Sequence, residues 1–292
     1  MGGNNLNTAQ TALRRWRGMT WLCFLFLCPV FGCNASTLDE GEPLTEARNS
    51  DQASPVTTRP AVDQANPSAI VAKAIRSHGG EARIQRVRKG RISQKFYSKF
   101  QPTTTWVDVF ELPDKFRRDI YTEVNGVKRH MRFMSMGKEA WNIEDDGSVK
   151  RSPVALHVLR PDRLFPLSFL KQLLELKDAK GVLVAPGSRN GQDHLVAIEV
   201  PGKSAGLHSR FFFDIKTGYL VQVEHDCGSL QGPEIHIETE VYSDFRSVDG
   251  IAIPHRIIGL FEGKETTKVV LQKFKVLKVL PEDTFAKPTG AQ

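Results

Sequence analysis

Residues 210–226 read RFFFDIKTGYLVQVEHD, and residues 235–256 read IHIETEVYSDFRSVDGIAIPHR. Apolar side chains alternate with polar ones through both: Phe211, Phe213 and Ile215, then Tyr219, Val221 and Val223, then Ile235, Ile237 and Val241. A period of two sends successive side chains to opposite faces, the signature of a strand. Short polar turns divide the runs, Lys216-Thr217-Gly218 and Ser247-Val248-Asp249-Gly250, each closed by a glycine that takes positive φ without steric cost. The stretch predicts consecutive antiparallel strands, and it contains no catalytic motif.

The same rhythm extends in both directions. Upstream, Ile92, Phe96 and Phe100 share a face, as do Trp106, Phe110 and Leu112. Phe116 and Ile120 follow, and beyond the hairpin signal Asn125-Gly126 come Val127, Met131 and Phe133, then Ala140, Trp141 and Ile143. The basic residues in these runs, Arg91, Lys95, Lys99, Arg117, Arg118, Lys128 and Arg132, are expected on a solvated face. Downstream, a long pair runs from Gly259 to Leu280 and ends in the turn Pro281-Glu282-Asp283-Thr284-Phe285. A helix precedes the meander, and a helical insertion interrupts it once. Asn66-Pro67 is an N-cap followed by a first-turn proline, Ile70, Val71, Ala74 and Ile75 form an apolar face, and Gly79-Gly80 stops the helix. After a short helix expected from Pro153 to Arg160, Phe165, Phe169, Leu170, Leu173, Leu174 and Leu176 mark an amphipathic helix, either core packing or a lid.

The N-terminal segment has a different character. Arg14, Arg15 and Arg17 precede the apolar run Met19 to Phe31, a charged region and a hydrophobic region of an export signal. The run is shorter than the ~20 residues of a membrane span. Val30-Phe31-Gly32-Cys33 resembles a bacterial lipobox, with Phe31 larger than that pattern's small residue, and makes Cys33 the expected lipidation site; simple cleavage after Ala35 is the alternative. Residues 33–65, rich in Ser, Thr, Pro and acids, lack the apolar content to offset chain entropy and read as a disordered tether. The expected organisation is thus residues 1–32 as signal peptide, 33–65 as tether and 66–292 as one folded domain. With Cys33 lipidated and the signal removed, Cys227 is the one thiol left, so no internal disulfide is expected. The net charge is +7, and the tether is acidic, so the domain that follows is basic and favours anionic partners.

No chemistry-bearing motif rises above this background. GxSxG, HExxH, CxxC, Walker and GxGxxG patterns are absent. His225-Asp226-Cys227 pairs an imidazole with a thiol, but strand alternation works against their meeting and no third member is evident. His225, His236 and His255 lack metal-ligand spacing, and nothing fixes the separation of Glu224, Glu238 and Glu240. Phe96, Tyr97, Phe100 and their lysines fit a nucleic-acid face in composition, but export argues against that partner. The expectation is therefore a non-enzymatic protein with no cofactor, no metal and no nucleic-acid partner.

Phe213-Asp214 with Thr217-Gly218-Tyr219-Leu220, then Tyr242-Ser243-Asp244-Phe245, Val248-Asp249-Gly250 and Ile253-Pro254, resemble the bacterial outer-membrane lipoprotein-sorting (LolA/LolB-like) superfamily. The resemblance runs in order from Pro67 to Pro288. It implies an α+β, mainly β, curved antiparallel half-barrel with helices covering the concave face. It also implies an apolar cavity for acyl chains of lipids or lipoproteins, in transport or sorting to the outer membrane. The expected lining is Phe96, Trp106, Phe110, Phe133, Phe211, Phe213, Ile235 and Ile237, with Phe169 and Leu173 on the lid. The expected location is the cell envelope, facing the periplasm and held to a membrane by the N-terminal lipid. The alternative is an envelope sensor or scaffold that uses the half-barrel to bind another protein.

Overall fold

A computed structural model describes residues 66–152, 164–184, 194–202, 206–228 and 234–289. The export segment, Cys33, the tether and the helix expected over 153–160 lie outside the described residues. Helix α1 (Pro67–Ser77) begins where Asn66 Oδ1 accepts from the Ser68 amide at 3.0 Å, with Pro67 in its first turn. It buries Val71, Ala74 and Ile75 and ends at Gly79 and Gly80, whose φ angles are 108° and 87°. At Gly79 a Cβ would also collide with the Gly250 carbonyl, so both conformation and close approach require glycine there. Helix α2 (Glu81–Gln85) leads into the sheet.

Strands β1 (Lys89–Ser98), β2 (Thr104–Glu111), β3 (Lys115–Val124), β4 (Val127–Met136), β5 (Glu139–Ile143) and β6 (Val149–Arg151) form one meander. Helix α3 (Leu167–Glu175) follows. A second meander contains β7 (Val182–Val184), β8 (Leu195–Pro201), β9 (His208–Asp214), β10 (Leu220–Gly228), β11 (Ile235–Val248), β12 (Ile251–Phe261) and β13 (Lys264–Val276). A 3-10 turn (Glu282–Phe285) closes the described chain.

All the described strands belong to one sheet of 13, in the order β6-β5-β4-β3-β2-β1-β13-β12-β11-β10-β9-β8-β7, antiparallel throughout. Each meander is local. The halves meet where β1 pairs with β13, from Gly90 opposite Val276 to Ser98 opposite Thr267. The chain leaves the sheet at one edge, β6, and re-enters at the other, β7, so the connection carrying α3 crosses from edge to edge. Laid flat, 13 strands at ~4.8 Å spacing would extend roughly 58 Å. A nine-residue helix is about 14 Å long. Yet α3 shares one continuous core with Phe133 and Ala140 of β4 and β5 and with Val196 and Ile198 of β8. The sheet therefore curls round the helices, as sheets of this size do. It is the open half-barrel with helices on its concave face that the sequence motifs imply.

Alternation assigns the faces. The inner face carries Ile92, Phe96, Phe110, Phe116, Phe133, Phe211, Phe213, Val223, Tyr242, Ile253, Ile257 and Leu271, all in the main core. On the outer face, Leu195, Ala197 and Phe212 form a small second cluster with Val221. Beside it Arg210 joins Glu199 (2.9 Å), Asp226 (3.3 Å) and Glu224 (3.6 Å). On the other half of the outer face, the C-terminal segment lies across the sheet. Arg117 donates to the Thr284 carbonyl at 3.3 Å, Lys287 lies 5.7 Å from the Trp141 ring centre, and Phe285 is buried.

Three expectations need correction. Ile235 and Ile237 alternate with Tyr242, so they belong to the outer face; Ile235 is 54% exposed and neither joins the core. Arg118 is buried on the inner face, because its strand neighbours Phe116 and Ile120 face inward and it meets Asp108 there. Phe100 and Ile215 fall just past their strand ends, where alternation no longer applies, and both are exposed.

Candidate functional site

Among the described residues, helices close one end of the inner face. There the C-cap residue of α1, His78, is wholly buried. Its Nδ1–H donates to the Ala252 carbonyl at 2.8 Å, and its Nε2 accepts from the Leu220 amide at 3.2 Å, which fixes the tautomer. Its ring lies against Phe169 (5.1 Å between centres), Tyr219 (4.9 Å) and Phe245 (5.6 Å), and Phe169 in turn meets Tyr242 edge-on at 4.9 Å. Burial pushes the His78 pKa down to about 4, against a weaker opposing effect of the Ala252 bond, so the imidazole is neutral at physiological pH. One neutral side chain thereby pins α1 to β10 and β12 and brings α3 against both.

The opposite end, where Phe100, the Asn125-Gly126 turn, Ile235 and Phe261 lie, has no described helix over it. Phe100, Val127, Ile235 and Phe261 are all exposed along this rim. Just inside, Phe96 stacks on Trp106 with ring centres 4.8 Å apart and planes 9° from parallel. Trp106, Ile120, Met131 and Val200 are half-buried against the core.

Of the residues expected to line a cavity, Phe96, Phe110, Phe133, Phe211, Phe213, Phe169 and Leu173 are all buried in the inner-face core, and Trp106 packs against it. The isoleucines of β11 are the exceptions noted above. Two clefts formed by described residues, of about 200 and 300 Å³, lie instead beside the C-terminal segment. Among the described residues no group of His, Cys, Asp and Glu is arranged to hold a metal ion, and no helix is long and apolar enough to cross a membrane.

The motifs read in the sequence do not single out Gln94, Thr104, Asp108 or Ser209 and do not place Arg118, His225, Cys227, Glu238 and Glu240 on the inner face. In β1 and β2, Gln94, Thr104 and Asp108 take inward positions between Ile92 and Phe96 or beside Trp106 and Phe110. Arg118 binds Asp108 through two bonds, Nε to Oδ1 at 2.7 Å and an Nη to Oδ2 at 2.9 Å, and lies 4.1 Å from the Trp106 ring centre. In β9 to β11, Ser209, His225, Cys227, Glu238 and Glu240 also face inward, in register with Val223 and Tyr242. Their signal was available in the sequence: each is a polar residue at an apolar parity.

His225 and Cys227, two residues apart, thus share a face, contrary to the expectation that alternation separates them. They are engaged separately, His225 Nδ1 with Ser209 Oγ at 2.8 Å and Cys227 with Glu238. Burial lowers the His225 pKa and raises that of Glu238. Burial also raises Glu240 to about 7, although the Tyr242 hydroxyl donates to it. The inner face therefore carries polar groups set within an aromatic surface.

No family model and no curated protein matches the chain. Among solved structures it is similar to a LolA superfamily protein from Nitrosomonas europaea, at 14% identity and TM-score 0.45, over 76% of this chain and 98% of that one. It is similar to a DUF1329 family protein from Desulfovibrio piger at 12% identity and TM-score 0.45, over 76% and 98% of the two chains. It is more distantly similar to the MucA/MucB complex of Pseudomonas aeruginosa, at 9% identity and TM-score 0.19, over 71% and 94%. The likeness is one of architecture.

Proposed function

We propose that this chain is a cell-envelope lipid- or lipoprotein-binding protein. It holds acyl chains against the inner face of its half-barrel, for transport or sorting to the outer membrane. The observation that carries this reading is an aromatic inner face stopped at one end by His78 and α1 and rimmed at the other by exposed Phe100, Val127, Ile235 and Phe261. Helix α3 acts as the lid. Phe169, Leu170 and Leu173 fill the face in the closed state. No side chain caps its N-terminus, and a polar tie at its far end is the exposed Lys177–Glu81 pair at 2.9 Å. An acyl chain that displaces these side chains regains ~0.8 kcal/mol for each CH₂ it buries, so a long chain offsets the apolar contact that α3 gives up. The charged and apolar N-terminal segment and Cys33 support export and a lipid anchor, with the domain facing the periplasm at the end of a tether.

The test is mass spectrometry of the protein purified from its native envelope, together with uptake of a fluorescent fatty acid. Co-purifying acyl species and saturable uptake are expected. Protein that is consistently empty and takes up no probe overturns the reading.

A further inference from the structure

Three polar atoms on neighbouring inward positions of β1 and β2 have no hydrogen-bond partner: Gln94 Oε1, Thr104 Oγ1 and Trp106 Nε1. Gln94 is 2% exposed and Thr104 4%. Gln94 stands directly opposite Trp106, and Thr104 opposite Phe96, one step along the same face. Directly paired residues on one face of an antiparallel pair have Cβ atoms about 4.5–5.5 Å apart, so the three groups form a single patch. An unpaired buried polar atom is costly, and most proteins avoid it.

The orientation of the patch is built in. Arg118 holds both oxygens of Asp108, and the Gln94 amide donates to Asp108 Oδ2 at 3.4 Å. Turning the amide over would put its oxygen against a carboxylate, so the NH₂ stays on Asp108 and Oε1 is presented free. Beside this fixed acceptor is a fixed donor, the indole N–H of Trp106, its ring held between Phe96 and the Arg118 guanidinium. The Thr104 hydroxyl serves in either role.

We infer that this patch is the subsite for an uncharged polar group of an amphiphile, one that offers both a donor and an acceptor, such as the hydroxy-ester of a monoacylglycerol. A donor on the ligand meets Gln94 Oε1 and an acceptor meets Trp106 Nε1–H, while the acyl chain follows the Phe96, Ile120 and Met131 surface. Asp108 already neutralises Arg118, so the patch has no spare cation for a phosphate. An ionised fatty-acid carboxylate offers no donor to Gln94. The inference rests on the lipid-binding reading and specifies the linkage that the face selects.

The experiment is displacement of a bound fluorescent fatty acid by monooleoylglycerol, oleate and 1-octadecene, with the full chain and with Gln94→Leu and Thr104→Val. The wild type is expected to prefer monooleoylglycerol over oleate. Each variant is expected to lose roughly tenfold in affinity for monooleoylglycerol, the loss of one hydrogen bond in a dry site, and little for octadecene. A single cooperative thermal transition shows that each variant folds: Thr104→Val removes only an unpaired buried atom and is expected at or above the wild-type midpoint, whereas Gln94→Leu also removes the amide's bond to Asp108 and is expected slightly below it. Unchanged monooleoylglycerol affinity in both variants, as an ordered water filling the patch would give, overturns the subsite but not lipid binding. A wild type that prefers oleate overturns it too. Failure of the wild type to bind any of the probes sinks the lipid reading itself.

Discussion

At the residue scale, two buried titratable groups set opposite pH limbs. His78 is neutral in the fold down to about 4, whereas an unfolded chain protonates it near 6.5. The unfolded state therefore binds more protons between those values. This contribution, up to ~3 kcal/mol by linkage, is complete above pH 6.5 and is lost as pH falls towards 4. Glu240 runs the other way: its folded carboxyl keeps its proton to about 7, while an unfolded chain releases it near 4.5. Its contribution is complete below 4.5 and fades as pH rises through 7. Denaturant titrations across pH are expected to show both limbs. Glu240→Gln flattens the neutral limb and raises stability at pH 8; His78→Asn flattens the acid limb at lower overall stability. A pH profile of the Glu240 variant that parallels the wild type refutes that assignment.

The Asp108–Arg118 pair gives a second prediction at this scale. Arg118→Met alone leaves a buried carboxylate without its partner and is expected to cost about 3–5 kcal/mol. Adding Asp108→Leu should recover most of that loss in urea unfolding, because the two charges leave together. Equal destabilisation by the single and double variants would show that packing of the guanidinium on Trp106, and not charge pairing, dominates.

At the element scale, helix α3 was legible from its spacing: the expected apolar positions Phe169, Leu170 and Leu173 are buried. Its partner was not legible, because nothing local says that Phe169 will meet His78 and Tyr242 across a gap of more than seventy residues on either side. Phe169→Ala is expected to destabilise by about 3–5 kcal/mol, read by thermal or urea unfolding. Lys177→Glu sets two acids together at the end of the lid and is expected to speed fatty-acid uptake in stopped flow with little change in thermal midpoint. Uptake rates identical to wild type would mean that α3 does not open there. Strand existence was equally legible, since turns such as Asn125-Gly126 and Thr217-Gly218 fall where the sequence puts them, with glycine φ values of 76° and 75°. Facing was less secure. β11 alone is 14 residues long, with Asp244 at φ 55° between Ser243, opposite Arg256, and Phe245, opposite Pro254. Reading its apolar residues as inward put Ile235 and Ile237 on the wrong face, when Tyr242 sets the register.

At the scale of the whole molecule, the lipid-binding proposal makes the rim at Phe100, Val127, Ile235 and Phe261 the surface through which a membrane or a lipid donor would approach. Phe100, 71% exposed, and Phe261 carry no core packing that depends on them. Phe100→Asp with Phe261→Asp is expected to leave unfolding unchanged and to reduce co-sedimentation with anionic vesicles by several-fold. Undiminished vesicle binding would move the membrane contact elsewhere. The sequence by itself determined the repeating strands, their turns, the two apolar helix faces and the β9–β12 motifs that identify the half-barrel. These depend on alternation, helical period and glycine geometry, all of which act within a few residues. Only the tertiary structure decided that β1 pairs with β13, that the crossover passes from edge to edge, and that Gln94, Asp108 and Arg118 meet inside an aromatic face. Those outcomes depend on burial and on pairing between distant segments. A polar residue at an inward position declares its role only when the chain has curled round it.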